Sequence, residues 1–339
     1  FGYIMGLRPD GYHEVTDFML RNVTFASYRI AIDAALHIVS AFRILHNAGY
    51  SYQDLNDGNF FIDPRTGKVL ICDNDNVAPN GVETGILGKP RYMAPEIVTG
   101  KKKPDNLSDR FSMSIIIFIL FCMNHPLEGK RSLAACLSPE LQEKLYGTDP
   151  VFIMDPTNKE NGPDPKIHKN VIKVWPCLPE YMRTLFLSAF SKKAMESPNE
   201  LDWINNLVKF RSDTIRCQCG NEVFTQNGVP CRCETCKRMI DIPYRLEFSE
   251  YAIPGAADSR IYRCQLGTCN ADEALKPMGR ILAKKEDRSI LGLKNLSDRS
   301  WNATTPSGKA KKVMPGEVIP IKDGITFTIN TETIQIKSN

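Results

Sequence analysis

Three oxygen-bearing side chains near residue 60 have the types and spacing that suit a metal-bound phosphate. Asp54 and Asn59 lie in the segment Tyr-Gln-Asp-Leu-Asn-Asp-Gly-Asn, and Asp73 opens the segment Asp-Asn-Asp. Between them, residues 59–63 and 68–72 are typical of two short strands joined by a turn. Because a tight hairpin brings its two ends together, the three side chains are expected to converge. Hard oxygen ligands of this kind suit Mg²⁺ bound with substrate phosphates.

A second chemically active group is a run of cysteines between residues 217 and 236. Two short pairs, Cys217-Gln-Cys219 and Cys233-Glu-Thr-Cys236, are separated by a hairpin-sized stretch. Two such pairs can place four thiolates tetrahedrally around Zn²⁺, and four cysteine ligands leave no open position, which indicates a structural metal. Cys231 is a fifth candidate, and spacing does not decide between it and its neighbour Cys233. Free or redox-active thiols are the alternative.

The composition is that of an ordinary globular chain of two or three domains. Its 339 residues are 42% hydrophobic and 24% charged, with a formal net charge of only +4. So small a charge gives no reason to expect nucleic acid or an anionic membrane as a partner. The start of the chain has no signal-peptide pattern, which together with the crowded cysteines favours a reducing cytoplasm. The most apolar run, residues 114–123, is too short for a membrane span and predicts a buried helix.

Hydrophobic periodicity predicts the elements that must position these residues. Apolar residues recur at helical spacing over residues 25–47, directly before the acidic segment. A stretch rich in proline, glycine and asparagine, residues 148–164, predicts a surface excursion. Further helices are expected at 108–123, 138–145, 179–192 and 199–210.

Beyond Cys236 the pattern changes from helical to β-favouring. Short runs rich in β-branched and aromatic residues alternate with turns that contain proline or glycine. The clearest of these runs are residues 261–264, 279–282 and 325–330. The C-terminal part of the chain is therefore predicted to be β-rich.

The motifs that flank the hairpin resemble those of protein kinases. The catalytic-loop pattern H-R-D-x-x-x-x-N appears at residues 52–59, D-F-G at residues 73–75 and A-P-E at residues 94–96. Each motif alone is a weak signal, but their order and spacing together are specific. Asp109 also resembles the aspartate of the buried central helix that ties the catalytic-loop backbone in place.

This resemblance implies roles in phosphoryl transfer from ATP. Asp54 would accept or orient the proton of a substrate hydroxyl, while Asn59 and Asp73 would hold Mg²⁺ on the ATP phosphates. In such a site the protein contributes positioning and charge neutralisation. The natural protein would then be a protein serine/threonine kinase.

The resemblance also implies a nucleotide-binding face. Phe61, two residues beyond Asn59, takes the position whose side chain forms the floor beneath adenine in the family. The opening segment resembles the strand and hinge that lead out of the N-terminal lobe. The backbone groups that would face the adenine edge are those of Gly6, Leu7 and Arg8.

The chain departs from the family pattern at several positions. The glycine-rich phosphate loop and the V-A-I-K lysine would lie before residue 1, so this chain is expected to lack the N-lobe and to transfer little phosphate alone. Gln53 replaces the arginine that pairs with a phosphorylated activation loop, so activation by loop phosphorylation is disfavoured. Asn74 and Asp75 replace the Phe and Gly of D-F-G.

Two further departures predict a single exchange. Asn56 stands where kinases usually carry a phosphate-contacting lysine, and Lys89 stands where threonine is common. In the family these two positions approach each other beside the γ-phosphate. An ammonium group from Lys89 would therefore restore the positive charge and make Lys89 a catalytic residue. The alternative is that Lys89 points into solvent, as most lysines do.

The departures leave two functions open. One is an active kinase, and the other is a pseudokinase that acts as a scaffold or nucleotide sensor. Retention of Asp54, Asn59 and Asp73, the base and metal positions, favours the enzyme.

The tail resembles, more faintly, a forkhead-associated domain. The segments that carry this resemblance include Gly279-Arg280, residues 291–296, Trp301 and residues 315–324. The S-x-x-H motif that reads phosphothreonine is absent from the sequence, so a degenerate protein-interaction domain is the preferred function. A purely structural β cap is the alternative.

The predicted fold class is multidomain α+β. It comprises a mainly helical protein-kinase C-lobe over residues 1–212, a small zinc ribbon over 213–243 and a β-sandwich over 244–339. The layout resembles bacterial kinases found with von Willebrand A-type and phosphatase partners in stress-response systems. The resemblance implies a cytoplasmic protein whose partners are protein substrates or signalling proteins.

Overall fold

A mixed α+β architecture in two units is found in the computed structural model, which confirms this part of the predicted fold class. The first unit comprises residues 1–203 and the second comprises residues 204–339. The structure describes residues 8–82, 84–85, 88–133, 137–190 and 197–339.

The first unit is mainly helical among its described residues. Its helices are α1 (Val15–Met19), α2 (Tyr28–Asn47), α3 (Pro95–Val98), α4 (Asn106–Cys122), α5 (Pro139–Glu143), α6 (Lys169–Val174) and α7 (Glu180–Ala189). A last helix, α8 (Glu200–Asp213), begins in the first unit and ends in the second. The helices predicted at 25–47, 108–123, 179–192 and 199–210 are confirmed with small shifts of their ends, except that residues 191–192 lie outside the described residues. The helix predicted at 138–145 is α5 followed by a π-helical turn.

The central element of the first unit is α4, which is buried on nearly all sides. Its N-terminus is closed by a capping box, in which the Asp105 side chain accepts from the amide of Ser108 and the Ser108 hydroxyl accepts in return from the Asp105 amide. Its C-terminus ends at Met123 in the left-handed conformation, with φ 50°. The apolar run 114–123 thus lies almost entirely in a buried helix, as predicted. Among the described residues, no helix is long and apolar enough to cross a membrane.

Two small sheets present the segment that carries the acidic motifs. One contains β1 (His13–Glu14), β3 (Phe60–Ile62) and β4 (Val69–Ile71), and the other pairs β2 (Tyr50–Ser51) with β5 (Ala78–Pro79). β3 and β4 form the predicted hairpin, with Phe60 opposite Ile71. The turn requires glycine, because Gly67 has φ 70° and a Cβ there would lie 2.7 Å from the carbonyl oxygen of Ile30 on α2.

The predicted surface excursion over residues 148–164 is confirmed for its centre, where residues 156–157 and 159–160 are exposed, but is wrong near both of its ends. Val151, Phe152, Ile153 and Asn161 are all buried. Composition correctly indicated a segment with little regular secondary structure, but it did not reveal the side chain that makes burial possible. The Asn161 side-chain amide supplies hydrogen bonds that regular secondary structure would otherwise provide.

The described strands of the second unit form two small hairpins and two larger sheets. Its strands are β6 (Thr214–Arg216), β7 (Glu222–Phe224), β8 (Cys231–Arg232), β9 (Met239–Ile240), β10 (Tyr244–Glu247), β11 (Ala252–Pro254), β12 (Arg260–Tyr262), β13 (Pro277–Ala283), β14 (Leu291–Asn295), β15 (Trp301–Thr304), β16 (Ala310–Val313), β17 (Val318–Pro320), β18 (Thr326–Ile329) and β19 (Glu332–Ser338). The hairpins pair β6 with β7 and β8 with β9.

The two larger sheets share one hydrophobic core. Their strand orders are β11-β10-β19-β18-β15-β16 and β12-β13-β14-β17. Ile281 and Leu293 of the four-stranded sheet and Trp301 and Phe327 of the six-stranded sheet belong to the same buried cluster. The β-rich character predicted for the tail is confirmed, and its resemblance to a forkhead-associated domain stays a prediction.

We expect the Asn161→Ala substitution to destabilise the first unit by about 3 kcal/mol or more, since each buried polar group left unpaired costs about 1–3 kcal/mol. The Asn161 Oδ1 atom accepts from the amides of Gly129 and Arg131, at 3.1 and 3.2 Å, and Nδ2 donates to the carbonyls of Leu127 and Val151, at 2.8 and 2.7 Å. Denaturant unfolding measures the loss.

The matched control for this prediction is Asn47→Ala at the exposed last residue of α2. It should leave the unfolding free energy within about 0.5 kcal/mol of the parent. Equal stability of the two variants would contradict the structural role of Asn161.

Candidate active site and metal centre

The loop that connects β2 to β3 is held in place by the carboxylate of Asp109 on α4. Oδ2 of Asp109 accepts from the amide of Tyr52 at 2.6 Å, and Oδ1 accepts from the amide of Gln53 at 2.9 Å. Gln53 has φ 69°, a left-handed conformation that costs free energy and persists only where the surrounding structure imposes it. Asp109 is only 1% exposed, so the two hydrogen bonds fix the loop to a rigid, buried helix.

The side chains of the loop are tied to one another around Asp54. Nδ2 of Asn59 donates to the Asp54 carbonyl at 2.7 Å, and Nδ2 of Asn56 donates to the Asp54 carboxylate at 3.2 Å. The Asn56 Oδ1 atom accepts from the amide of Gly58 at 3.0 Å. Because the amino group of Asn59 is engaged with a carbonyl, the orientation leaves its Oδ1 as the atom that can bind a cation.

Asp73 lies on the other side of the hairpin, as the sequence predicted. It follows β4, is exposed, and has φ 58°, which is uncommon for a residue other than glycine. The two sides of the hairpin are joined where Cys72 donates its amide to the Asn59 carbonyl, at 2.9 Å, and accepts from the Tyr52 hydroxyl. Burial raises the pKa of Asp54, and the nearby charge of Asp73 raises it further. The three predicted oxygen-bearing side chains therefore flank one site.

Lys89 extends over the catalytic loop. Its Nζ atom donates to Asn56 Oδ1 at 3.1 Å and lies 3.3 Å from Asp57 Oδ1, although 60% of the side chain is exposed. The preceding glycine permits this approach, because a Cβ on Gly88 would lie 3.0 Å from Asp54 Oδ1. The structure thus brings together the two positions of the predicted exchange.

Two residues at this site were missed by sequence reasoning. Asp57 accepts a hydrogen bond from the Thr16 hydroxyl at 2.6 Å. Burial raises the pKa of Asp57, but this hydrogen bond and the charge of Lys89 outweigh burial, so the pKa is lowered. Its place beside Asn56 in the loop was a signal that could have been used. Asn76, which is buried, lies near the Asp54 carboxylate and acts to lower the pKa of that group. No sequence signal identified Asn76, because its position depends on the 3₁₀ turn that follows Asp73.

The nucleotide-binding positions are only partly described. Phe61 lies in β3, opposite Leu70 of β4, and is half-buried. The Arg8 guanidinium lies over the Phe61 ring, 4.4 Å from its centroid, in a cation–π contact. The predicted hinge contact of Arg8 was a backbone one, so its side chain adds a contact that was not expected. Gly6 and Leu7 lie outside the described residues.

Four cysteines of the second unit converge as a metal site requires. The Sγ atoms of Cys217, Cys219, Cys233 and Cys236 all lie within 4.8 Å of one another. Two of the sulfur pairs, Cys217 with Cys236 and Cys219 with Cys233, are 3.6 and 3.7 Å apart. Tetrahedral Zn–S bonds of about 2.3 Å place sulfurs roughly 3.8 Å apart, so this thiol set fits zinc.

The loops that carry these cysteines also support thiolate ligation. Nδ2 of Asn221 donates to Cys219 Sγ at 3.4 Å, and this hydrogen bond is the main reason that the pKa of Cys219 is lowered to about 6. Backbone hydrogen bonds, chiefly that with Cys236, lower the pKa of Cys233. Cys231 lies in β8 and is not a member of the four-cysteine cluster. The geometry therefore selects Cys233 where spacing had left both open.

We expect about one zinc ion per chain, bound by these four cysteines. Cys236→Ser should lose most of the metal, whereas Cys231→Ser should keep it, since only the first removes a converging thiolate. Elemental analysis of protein purified without chelators measures the stoichiometry.

The stability of the zinc module supplies a second readout. Chelation should unfold this module before the first unit, because ligation contributes folding free energy. A metal-free parent protein, or equal metal loss in the two variants, would contradict the assignment.

Comparison with known proteins places the first unit among protein kinases. The family model of the protein kinase domain matches residues 9–183. Calcium-dependent protein kinase 10 of Oryza sativa subsp. japonica is 32% identical over 99 residues, which are 28% of this chain and 16% of that protein. Protein kinase C delta type of Mus musculus is 30% identical over 109 residues, 31% of this chain and 16% of that protein.

A third relative is serine/threonine-protein kinase Sgk1-B of Xenopus laevis. It is 30% identical over 88 residues, which are 25% of this chain and 20% of that protein. The chain thus spans only about a sixth to a fifth of the length of the three relatives. The family match nevertheless covers more than half of the chain and includes the loop held by Asp109, the hairpin and the Asp73 segment. This chain belongs to the protein kinase family.

Proposed function

We propose that the natural protein that carries this chain is an active protein kinase, which transfers the γ-phosphoryl group of ATP to serine or threonine hydroxyls of proteins. The observation that carries this proposal is the loop geometry. Asp54 and Asn59 are joined by a 2.7 Å hydrogen bond, and Asp73 is near enough for its charge to act on Asp54. This arrangement supplies a proton acceptor beside two candidate Mg²⁺ ligands, which are the groups that phosphoryl transfer needs.

The proposed roles follow from the chemistry of each side chain. The Asp54 carboxylate accepts the proton of the substrate hydroxyl or orients that hydroxyl toward the phosphorus. Oδ1 of Asn59 and the carboxylate of Asp73 would hold Mg²⁺, whose charge would offset that of the ATP phosphates. Phosphoryl transfer needs little covalent help from the protein, so rigid placement of these groups supplies most of the catalysis.

The choice of serine or threonine as the acceptor rests on the relatives. Sgk1-B is named a serine/threonine-protein kinase. Departures at Gln53, Asn74 and Asp75 favour the rival function, a pseudokinase scaffold or nucleotide sensor. The two functions differ in one measurable property, since both permit nucleotide binding but only the enzyme transfers phosphate.

In the natural protein, we expect Asp54→Asn to reduce kcat by about 10² to 10⁴-fold while ATP still binds, because the substitution removes the proton acceptor and keeps the shape. Asp73→Asn should reduce both transfer and Mg²⁺-dependent ATP binding, since it removes a metal ligand. Radiolabelled phosphate transfer and calorimetric ATP binding measure the two effects.

The control for these variants is Glu143→Gln, which removes an exposed carboxylate at the end of α5. It should leave both measurements unchanged. Mg²⁺-ATP binding by the parent without transfer to any protein, including itself, would replace the kinase with the scaffold.

We propose in addition that Lys89 supplies the cation missing at Asn56. Its ammonium contacts Asn56 and is drawn to the loop by Asp57. Lys89→Ala should lower kcat by about 10²-fold, a typical cost of removing an electrostatic stabiliser from a reaction centre. The KM for ATP should change less, because the charge at the transferring group is largest in the transition state.

The double swap Asn56→Lys with Lys89→Thr tests whether the charge, and not its source, matters. We expect it to recover much of the activity that Lys89→Ala loses. Near-normal kcat in Lys89→Ala, or no recovery in the swap, would contradict the exchange.

A further inference from the structure

A cluster of four charged side chains, three of them buried, lies beside the catalytic loop and takes no direct part in the proposed reaction. His46 lies near the end of α2, Asp109 and Arg110 lie in the first turns of α4, and Glu200 is the first residue of α8. The side chains of His46, Asp109 and Glu200 are 3%, 2% and 7% exposed. Three helices that are far apart in the sequence, α2, α4 and α8, thus bring charged side chains together where little water reaches them.

The imidazole of His46 bridges two carboxylates. Its Nδ1 lies 2.6 Å from Oε1 of Glu200, and its Nε2 lies 3.1 Å from Oδ2 of Asp109. Arg110 closes the far side, because its Nε and Nη2 atoms donate to the two oxygens of Glu200 at 2.7 and 3.1 Å. Glu200 therefore accepts from two cationic groups.

Only one protonation state satisfies both contacts of the ring. A neutral imidazole has one N–H group and one lone pair, and the lone pair would face a carboxylate oxygen. With both nitrogens protonated, His46 and Arg110 balance the charges of Asp109 and Glu200. Removal of the proton leaves an uncompensated negative charge in a buried site, which is costly.

The bridge shares an atom with the anchor of the catalytic loop. Oδ2 of Asp109 accepts both from Nε2 of His46 and from the amide of Tyr52. The other oxygen accepts from the amide of Gln53, which directly precedes Asp54. A change in the His46–Asp109 contact therefore acts on the backbone that presents Asp54.

We propose that Glu200 holds His46 as an imidazolium, and that this charged bridge positions the catalytic loop, so that loss of the His46 proton at alkaline pH lowers phosphoryl transfer. His46 and Glu200 are positioning residues, since both act through Asp109. The effect on activity rests on the proposed kinase function, whereas the protonation of His46 does not.

The direction of the titration supports the proposal. Burial opposes the charge, but hydrogen bonds and attraction to Asp109 and Glu200 outweigh it and raise the pKa of His46 above 6.5. A raised pKa means that the stabilising contact is complete below 6.5 and is lost as the pH rises through the higher folded-state value.

Among the described residues, the charges that act most strongly on the ring are those of Asp109 from α4 and Glu200 from α8, and Arg110 contacts the far side of Glu200. Arg43, a further cation, lies three residues before His46 on α2. On α2 itself, the Phe42 ring lies 5.8 Å from the imidazole in an edge contact. From the catalytic loop, the Tyr52 hydroxyl is engaged with the Cys72 carbonyl.

The first test is an NMR titration of the full chain. The His46 ring signals, assigned by their loss in His46→Gln, should titrate above pH 6.5, and the amide signals of Tyr52 and Gln53 should follow the same curve. In Glu200→Gln the shared midpoint should move to lower pH, because a neutral amide stabilises the imidazolium less. Glu143→Gln, at an exposed position, should leave the midpoint in place.

The second test uses kcat as a function of pH in the natural protein. The parent should lose activity on its alkaline side with the midpoint seen by NMR. Glu200→Gln should shift that loss to lower pH, and Glu200→Ala should reduce kcat about tenfold or more by displacing the loop. His46→Gln should remove this step from the pH profile.

The outcomes separate this inference from the kinase proposal. The charged bridge is overturned if His46 titrates with a midpoint at or below pH 6.5, or if the amide signals of Tyr52 and Gln53 do not shift with the titration. Either result counts whether or not the protein is active. An unchanged alkaline arm in Glu200→Gln overturns the coupling to catalysis. If His46 titrates as expected but the protein transfers no phosphate, the charged bridge is supported and only the kinase function is rejected.

Discussion

The candidate active site depends on one buried carboxylate that accepts hydrogen bonds from the catalytic-loop backbone. Asp109 is nearly inaccessible to water, and a lone carboxylate in such a place would be strongly destabilising. It is satisfied by the amides of Tyr52 and Gln53 and by the imidazole of His46. Because α4 is itself buried on nearly all sides, the loop is fixed to the most rigid element of its unit.

The strained backbone of the loop follows from that attachment. Gln53 and Asp73 both occupy the left-handed region although neither is glycine. Such conformations persist only where the surroundings impose them, and here they place Asp54 and Asp73 on facing sides of the hairpin. The free energy of burial and hydrogen bonding in the unit thus offsets the conformational cost of these two residues. Backbone strain of this kind commonly occurs at functional sites.

The cysteine cluster solves a different stability problem. Its two hairpins contain strands of only two or three residues, which bury little apolar surface. Four thiols within 4.8 Å of one another can bind a metal ion, and its ligation can then stabilise the module in place of a hydrophobic core. Asn221 donates a hydrogen bond to Cys219 Sγ, so a residue outside the four ligands also stabilises the thiolate form.

The sequence by itself determined the local chemistry and the local elements. Asp54, Asn59 and Asp73, the hairpin between them, the buried helix α4 and the four cysteines were all predictable, because each depends on residue type and short-range spacing. It also suggested that Lys89 and Asn56 belong together, through resemblance to a family and not through any local pattern. The composition of residues 148–164 misled only near the two ends of that segment, since it carries no information on burial.

Only the tertiary structure decided which distant side chains share a space. The partners of His46 are 63 and 154 positions away in the chain, and those of Asn161 lie 10 to 34 positions away. No periodicity or motif encodes such pairs, because a side-chain hydrogen bond depends on how whole elements pack and not on the residues beside it. The same reason explains why Cys233 and not Cys231 joins the cluster, and why Asn76 lies near Asp54.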